Sequence, residues 1–218
     1  MVIDPSPGPS DGATGGRRAR VAVLASGAGT NMVALADAVD RGEVVADIVV
    51  VVSDVADAPA LDRAQQRGIP TACIPFDRTD RPAWERRLAD AVAEHDVDLV
   101  VLAGFMRIVS GAFLERWPDR VVNVHPSLLP AFRGADAVGD ALAAGVLVTG
   151  VTVHLVDELV DHGPVLIQET VDVMPDDTRE TLLARIHTVE HRLLPHAVDL
   201  LARGRIELHE GRATLLEP

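Results

Sequence analysis

Short runs of apolar residues alternate with amphipathic segments along the first part of this chain of 218 residues. The runs are continuous and brief, which favours buried strands, and the segments between them have helical spacing. The pattern predicts strands at 21–26, 47–53, 71–76 and 98–104, another that ends within 120–127, and helices at 31–39, 59–68, 82–94 and 110–116. Strands that are apolar on both faces and alternate with helices indicate a parallel sheet covered by helices.

The pattern changes in the second part of the chain. It predicts a helix at 137–144, two extended strands at 148–156 and 165–173 joined by the loop 157–163, and a helix over 178–203 with a kink at Pro195. We therefore expect an α/β fold, a Rossmann-like and mostly parallel sheet with helices on both faces. Residues 1–19 are rich in Pro, Gly and Ser and are expected to form a disordered tail before a single domain at 20–218.

Composition narrows the class of function. Aromatic residues make up 3% of the chain and the net charge is −13, which argues against nucleic acid as a partner, because such binding needs basic surfaces and stacking rings. Cys73 is the only cysteine, so neither an intrachain disulfide nor a cysteine zinc cluster is expected. No apolar run has the length of a signal-peptide core or a transmembrane helix, and we expect a cytoplasmic protein without a membrane partner.

The sequence SGAGTN at 26–31 follows the first predicted strand and opens a helix. Small residues let backbone N–H groups approach an anion, and the start of a helix supplies unpaired N–H groups, so this turn is a candidate phosphate site. A dinucleotide site is the first alternative, because Asp54 ends the second strand, but Met32 occupies the place of the third glycine. A plain tight turn is the second alternative.

Two polar side chains lie at the end of a predicted parallel strand in NVHPSLLP, residues 123–130. Asn123 and His125 flank one residue, so an extended backbone points both side chains the same way. An amide beside an imidazole can stabilise an oxyanion and move a proton, and ligands bind beyond such strand ends. The structural alternative is a histidine that caps a loop and an asparagine in a turn.

A carboxylate follows in the loop between the two late strands. Asp161 precedes Gly163 and Pro164, which predict a sharp bend. Near His125 this carboxylate would raise the pKa of the imidazole or accept a proton itself, whereas an isolated acidic loop residue is usually only solvated.

The segment LAGFMRIVS at 102–110 follows another strand and suits a flat ligand lying against backbone, with Arg107 at the rim; core packing is the alternative. One further pattern, H-x-x-E-H at 187–191, matches inverted zinc proteases. Only a short tail follows it, with few acidic residues to serve as a third ligand. We therefore expect no metal and attribute these histidines to helix packing and surface contacts.

These motifs together resemble the glycinamide ribonucleotide formyltransferases, folate-dependent enzymes of purine synthesis. The resemblance covers about residues 20–215 and rests on SGAGTN at 26–31, LAGFMRI at 102–108, N-x-HPSLLP at 123–130 and D-x-GP at 161–164. It implies transfer of a one-carbon unit from 10-formyltetrahydrofolate, the co-substrate, to glycinamide ribonucleotide. A homodimer is compatible with the resemblance.

The resemblance also implies roles for individual residues. Asn123, His125 and Asp161 match the family's catalytic residues, and Glu190 matches a glutamate that contacts the substrate. The remaining matches are the phosphate-binding residues Gly29, Thr30, Asn31 and Arg81 and the pterin-binding residues Met106, Arg107, Ile108 and Val109. The chain departs from the family at Asp136, where a histidine is common, and at His162, where a small residue is common.

Two related activities and one unrelated one are the alternatives. Formyltetrahydrofolate hydrolases share HPSLLP but normally carry an extra N-terminal domain, and methionyl-tRNA formyltransferases normally add a C-terminal RNA-binding domain. A non-catalytic nucleotide-binding module would keep SGAGTN without a reason to hold Asn123, His125 and Asp161 together.

Overall fold

The computed structural model describes residues 17–209 and 211–216. Its centre is a seven-stranded sheet in the order β3-β2-β1-β4-β5-β6-β7. The strands are β1 (Ala19–Leu24), β2 (Ala46–Ser53), β3 (Thr71–Cys73), β4 (Leu99–Leu102), β5 (Val121–His125), β6 (Val148–Leu155) and β7 (Val165–Asp172). Strands β1–β5 are parallel to one another, and β6 runs antiparallel to its two neighbours, β5 and β7. The predicted α/β class with a mostly parallel sheet is therefore confirmed.

Six helices cover the sheet in the described part of the chain. They are α1 (Thr30–Asp40), α2 (Pro59–Gln66), α3 (Arg81–Ala93), α4 (Gly111–Leu114), α5 (Ala137–Ala143) and α6 (Arg179–Ala202). Capping side chains fix where two of these helices begin. Asp80 accepts a hydrogen bond from the Ala83 N–H at the start of α3, and Thr178 forms a capping box at the start of α6. Pro195, predicted as a kink, lies inside α6. None of these helices has the length and apolarity needed to cross a bilayer.

Alternate residues of the central strands enter two separate cores. Val21 and Val23 of β1 face one core with α1, α2, α5 and α6, whereas Ala22 and Leu24 face the other with α3 and α4. All four side chains are fully buried, which explains why the central strands are apolar without alternation.

The two ends of the chain compare differently with the expected pattern. A hairpin of β8 (Ile206–His209) and β9 (Arg212–Leu215) follows α6 and was not predicted. Most of the predicted tail, residues 1–16, lies outside the described residues. Arg17 and Arg18 are described, and they pair with Asp98 and Asp47 before β1 begins.

Candidate active site

The strand order reverses direction between β1 and β4, and the segments after β1, β4 and β5 lie at the same edge of the sheet. Chain segments leave such a reversal on opposite faces, which opens a crevice beyond the carboxyl ends of the strands. Residues 26–31 follow β1, residues 103–110 follow β4, and β5 ends at His125. The three predicted motifs therefore meet around this crevice.

Asn123, His125 and Asp161 lie together. The Asn123 amide Nδ2 is 3.4 Å from Asp161 Oδ1, and His125 Nδ1 is 3.4 Å from Asp161 Oδ2. Asn123 and His125 project from one strand, while Asp161 reaches them from the loop that joins β6 to β7. The arrangement combines an amide donor, an imidazole and a carboxylate, which suits a reaction that develops an oxyanion and releases a proton.

The backbone of residues 132–134 orients two of these side chains. His125 Nε2 is 2.8 Å from the Phe132 carbonyl oxygen, which can only accept, so Nε2 carries a hydrogen and Nδ1 faces Asp161. The Gly134 N–H donates to Asp161 Oδ2 at 2.8 Å. Phe132 itself has a φ of +51°, a left-handed conformation that residues of this type rarely adopt.

Burial lowers the pKa of His125 below its ordinary value. The Phe132 carbonyl and the charge of Asp161 act in the opposite direction, as expected for the carboxylate, but burial outweighs them. Asp161 therefore acts on the imidazole's pKa in the expected direction, and burial sets the net direction of the shift. The uncharged imidazole is favoured at neutral pH.

Asp161 is held in an ionised state on a sharply bent loop. Burial raises its pKa, but the nearby His154 ring, the hydrogen bond from the Gly134 N–H and the charge that His125 can carry together lower the pKa by more than burial raises it. Asp161 has a φ of +47°. A Cβ on Gly163 would lie 2.1 Å from the Leu155 carbonyl oxygen, so only glycine permits the bend that brings Asp161 back to β5.

The sequence analysis missed His154. It pairs with Asn123 in the antiparallel register of β5 and β6, and only 2% of its surface is exposed. Its Nδ1 donates to the Leu155 carbonyl at 2.7 Å, which leaves Nε2 to accept from Asn123 Nδ2 at 3.1 Å. His154 therefore orients the Asn123 amide. The available signal was the single ionisable residue of the predicted strand 148–156.

The turn before α1 has the geometry expected of an anion site. Gly29 has a φ of +71°, and a Cβ there would lie 2.6 Å from Ala60 Cβ, so no larger residue fits. Thr30 is the first residue of α1, and the Ala60 N–H donates to the Gly27 carbonyl, which ties the turn to α2.

Asn31 and Glu190 come together from opposite ends of the chain. The buried Asn31 amide donates from Nδ2 to Glu190 Oε2 at 2.8 Å. Burial raises the pKa of Glu190, against the lowering effects of this hydrogen bond and of His187. Asn31 Oδ1 has no hydrogen-bond partner among the described residues. A buried acceptor without a partner fits a position that a ligand would complete.

A cavity of about 450 Å³ adjoins the three clustered side chains. Its apolar lining includes Met106, Ile108 and Val109 after β4, and Leu159 and Val160 of the 157–163 loop. Met106 and Ile108 are 65% and 54% exposed. Exposed apolar walls with a few polar groups at one end suit a flat, partly apolar ligand.

Two arginines assigned by resemblance are engaged by the protein itself. Arg81 donates to the Ile108 carbonyl oxygen at 2.8 Å, a contact with the cavity wall, and its assignment to a phosphate stays a prediction. Arg107 also lines the cavity, but its Nε donates to Asp54 Oδ2 at 2.6 Å. Asp54, the acidic residue of the dinucleotide alternative, is thus already paired.

The zinc-protease pattern on α6 has another use in the structure. Glu190 bonds to Asn31, and the rings of His187 and His191 are stacked with centroids 5.9 Å apart. No group of three or more His, Cys, Asp or Glu side chains within residues 17–209 and 211–216 is arranged to hold a metal ion.

The two departures from the family pattern make contacts of their own. Asp136 accepts from the Gly139 N–H at the start of α5 and pairs with Arg179. His162 is half-exposed and its Nδ1 lies 2.6 Å from Asp157 Oδ2. Neither side chain lines the cavity.

The chain matches the formyl transferase family over residues 19–198. A phosphoribosylglycinamide formyltransferase of Mycobacterium tuberculosis is 44% identical over 90% of this chain and 91% of that protein. A trifunctional purine biosynthetic protein adenosine-3 of Bos taurus is 45% identical over 89% of this chain but 19% of that protein, so the chain spans about a fifth of its length. Glycinamide ribonucleotide transformylase 1 from Symbiobacterium toebii superposes with a TM-score of 0.89 and 42% identity over 93% of this chain and 96% of that one.

Proposed function

Because the chain belongs to the formyl transferase family, we propose that it transfers the formyl group of 10-formyltetrahydrofolate to the amino group of glycinamide ribonucleotide in purine biosynthesis. The observation that carries the proposal is the position of Asn123, His125 and Asp161 beside the cavity, which lies beyond the same sheet edge as the 27–31 turn. In this proposal the turn with Asn31 and Glu190 binds the ribonucleotide, and the cavity walled by residues 106–109 binds the folate.

The proposed reaction begins when the substrate amine attacks the formyl carbon and forms a tetrahedral oxyanion. Asn123 Nδ2, oriented by His154, donates to this oxygen, and His125 stabilises it as the imidazolium, the form that the Asp161 carboxylate and the oxyanion both favour. The ionised Asp161 accepts the proton lost by the amine, directly or through a water molecule. Collapse of the intermediate then breaks the bond between the formyl carbon and the folate nitrogen. The proton held by Asp161 passes to this leaving nitrogen, directly or through water, and tetrahydrofolate is released.

Water is the alternative acceptor, as in the formyltetrahydrofolate hydrolases. A ribonucleotide acceptor is supported by two features of the chain. The turn at 27–31 offers backbone N–H groups at the start of α1, and the Asn31–Glu190 pair lies beside it with an unpaired acceptor. Hydrolysis needs no such second site. If the chain were a non-catalytic nucleotide-binding module, the cavity beside His125 would have no function.

The test measures release of tetrahydrofolate from the formyl donor with glycinamide ribonucleotide, with charged tRNA and with water alone. We expect rapid turnover only with the ribonucleotide. Equal rates with and without it would assign the chain to the hydrolases, and no turnover with any acceptor would support the binding module.

A further inference from the structure

A buried network joins the ends of β1 and β2 to the residues that follow β4. Ser26 Oγ donates to Asp54 Oδ1 at 2.5 Å and accepts from the Met106 N–H at 2.9 Å. The other carboxylate oxygen of Asp54 accepts from Arg107 Nε at 2.6 Å. The side chain of Asp54 is 0% exposed and that of Arg107 is 32% exposed, so this is a buried charge with its partner at the cavity rim.

The guanidinium of Arg107 is fixed from a second direction. Its Cζ lies 4.1 Å from the centroid of the Phe76 ring, and Phe76 packs edge-on against Trp84 with centroids 4.8 Å apart. A guanidinium held between a carboxylate and an aromatic face has little freedom. The backbone of residues 106 and 107, which lines the cavity, is thereby fixed to the ends of β1 and β2.

Each end of the network adjoins a different proposed substrate site. Ser26 immediately precedes the 27–31 turn, and Met106 and Arg107 belong to the cavity wall. The Asp54 side chain has no exposed surface, so it cannot touch a ligand in the turn or in the cavity itself. Burying a carboxylate is costly unless donors satisfy it, and here the donors are one residue from each site.

We propose that Asp54 is a positioning residue shared by both substrate sites. By holding Ser26 and Arg107 it fixes the ribonucleotide turn relative to the folate wall, so that the amine and the formyl group meet beside Asn123 and His125. This inference rests on the proposed function, since it assigns one ligand to each side of the network.

The experiment compares ligand affinities by isothermal titration calorimetry, with glycinamide ribonucleotide and tetrahydrofolate titrated separately. The variants are Asp54→Ala, Asp54→Asn, Ser26→Ala and Asn31→Ala. Asp177→Ala is the matched control, because Asp177 forms a bidentate pair with Arg185 at similar exposures of 3% and 34% and does not line the cavity.

We expect Asp54→Ala to raise the Kd of both ligands by similar factors, on the order of tenfold each, as for loss of a charge-assisted hydrogen bond. Asp54→Asn nearly preserves shape and should give a smaller rise of both values, and Ser26→Ala should also affect both. Asn31→Ala should weaken only the ribonucleotide. The Asp177→Ala control should leave both Kd values unchanged, although its melting temperature falls.

A change in only one Kd, or none, in the folded Asp54 and Ser26 variants would overturn the proposal. So would loss of folding in all three, because the network would then serve stability and not positioning. These outcomes differ from failure of the proposed function, in which the wild-type protein itself binds neither ligand.

Discussion

At the scale of single residues, the chemistry of the site depends on how His125 is held. One ring nitrogen is committed to the Phe132 carbonyl and the other faces the Asp161 carboxylate. The carboxylate favours the imidazolium, while burial favours the uncharged ring. His125 can therefore be uncharged in the free enzyme and still gain stability as a cation when an oxyanion forms beside it.

Removing the charge of Asp161 should lower the pKa of His125. The wild-type imidazole should titrate below the ordinary histidine value, because burial dominates, and Asp161→Asn should titrate lower still, because the group that raises the pKa has lost its charge. NMR titration of the His125 ring protons in both proteins measures the two values. An unchanged or higher value in Asp161→Asn would show that the two side chains do not interact as described.

His125 and Asp161 should also behave as one unit in kinetics. We expect His125→Ala and Asp161→Asn each to lower kcat on the order of 10²-fold or more. The double variant should lose less than the product of the two single losses, since residues that share a proton path are not additive. Strictly multiplicative losses, or near-normal kcat in Asp161→Asn, would contradict a shared path.

Site residues that lie on one strand or loop could be predicted from the sequence. Contacts between side chains on two different strands could not. Asn123 and His125 follow from alternation along one strand. His154 does not, because its place opposite Asn123 depends on the register between β5 and β6. The same holds for Arg107, whose local motif indicates a ligand contact although its guanidinium is bound by Asp54 from β2.

At the scale of elements, the junction of β1 and α1 determines how the 27–31 turn can bind an anion. Gly29 lies against Ala60 of α2 with a left-handed backbone, and the first N–H groups of a helix have no partner within the helix. The turn is built from backbone, so side-chain size at position 29 and the amide at position 31 are its sensitive points.

Gly29→Val and Asn31→Ala should each raise the KM for glycinamide ribonucleotide by about tenfold or more, with a much smaller change in the folate KM. The valine Cβ would collide with Ala60 and strain the backbone, and the alanine would remove the amide that bonds Glu190. Steady-state kinetics with each substrate varied in turn separates the two KM values. Equal rises in both would mean that this turn does not serve one substrate.

The elements themselves were predictable to different degrees. Helices with a clear start signal could be predicted within a residue or two. An example is α3, which begins directly after Asp80 and has Pro82 in its first turn. The β8–β9 hairpin was not, because its strands are short and mostly exposed and lack a buried apolar run. Its antiparallel pairing turns at Gly211, whose φ is +75°, a conformation that composition alone does not reveal.

At the scale of the whole molecule, strand and helix alternation predicted the parallel sheet but not its order. The placement of β1 at the centre, between β2 and β4, is what brings three distant motifs to one crevice. Sequence spacing carries no information on which strands become neighbours. The resemblance names the residues, and the strand order supplies the physical reason that they lie together.

In the proposed function, the crevice holds both substrates so that the formyl group passes directly between them. The most direct test supplies 10-formyltetrahydrofolate labelled with carbon-13 in the formyl group and follows the label by NMR with glycinamide ribonucleotide present. We predict that the label moves to the amide formed on the ribonucleotide nitrogen, with no accumulation of labelled formate. Labelled formate released at the same rate with and without the ribonucleotide would contradict direct transfer.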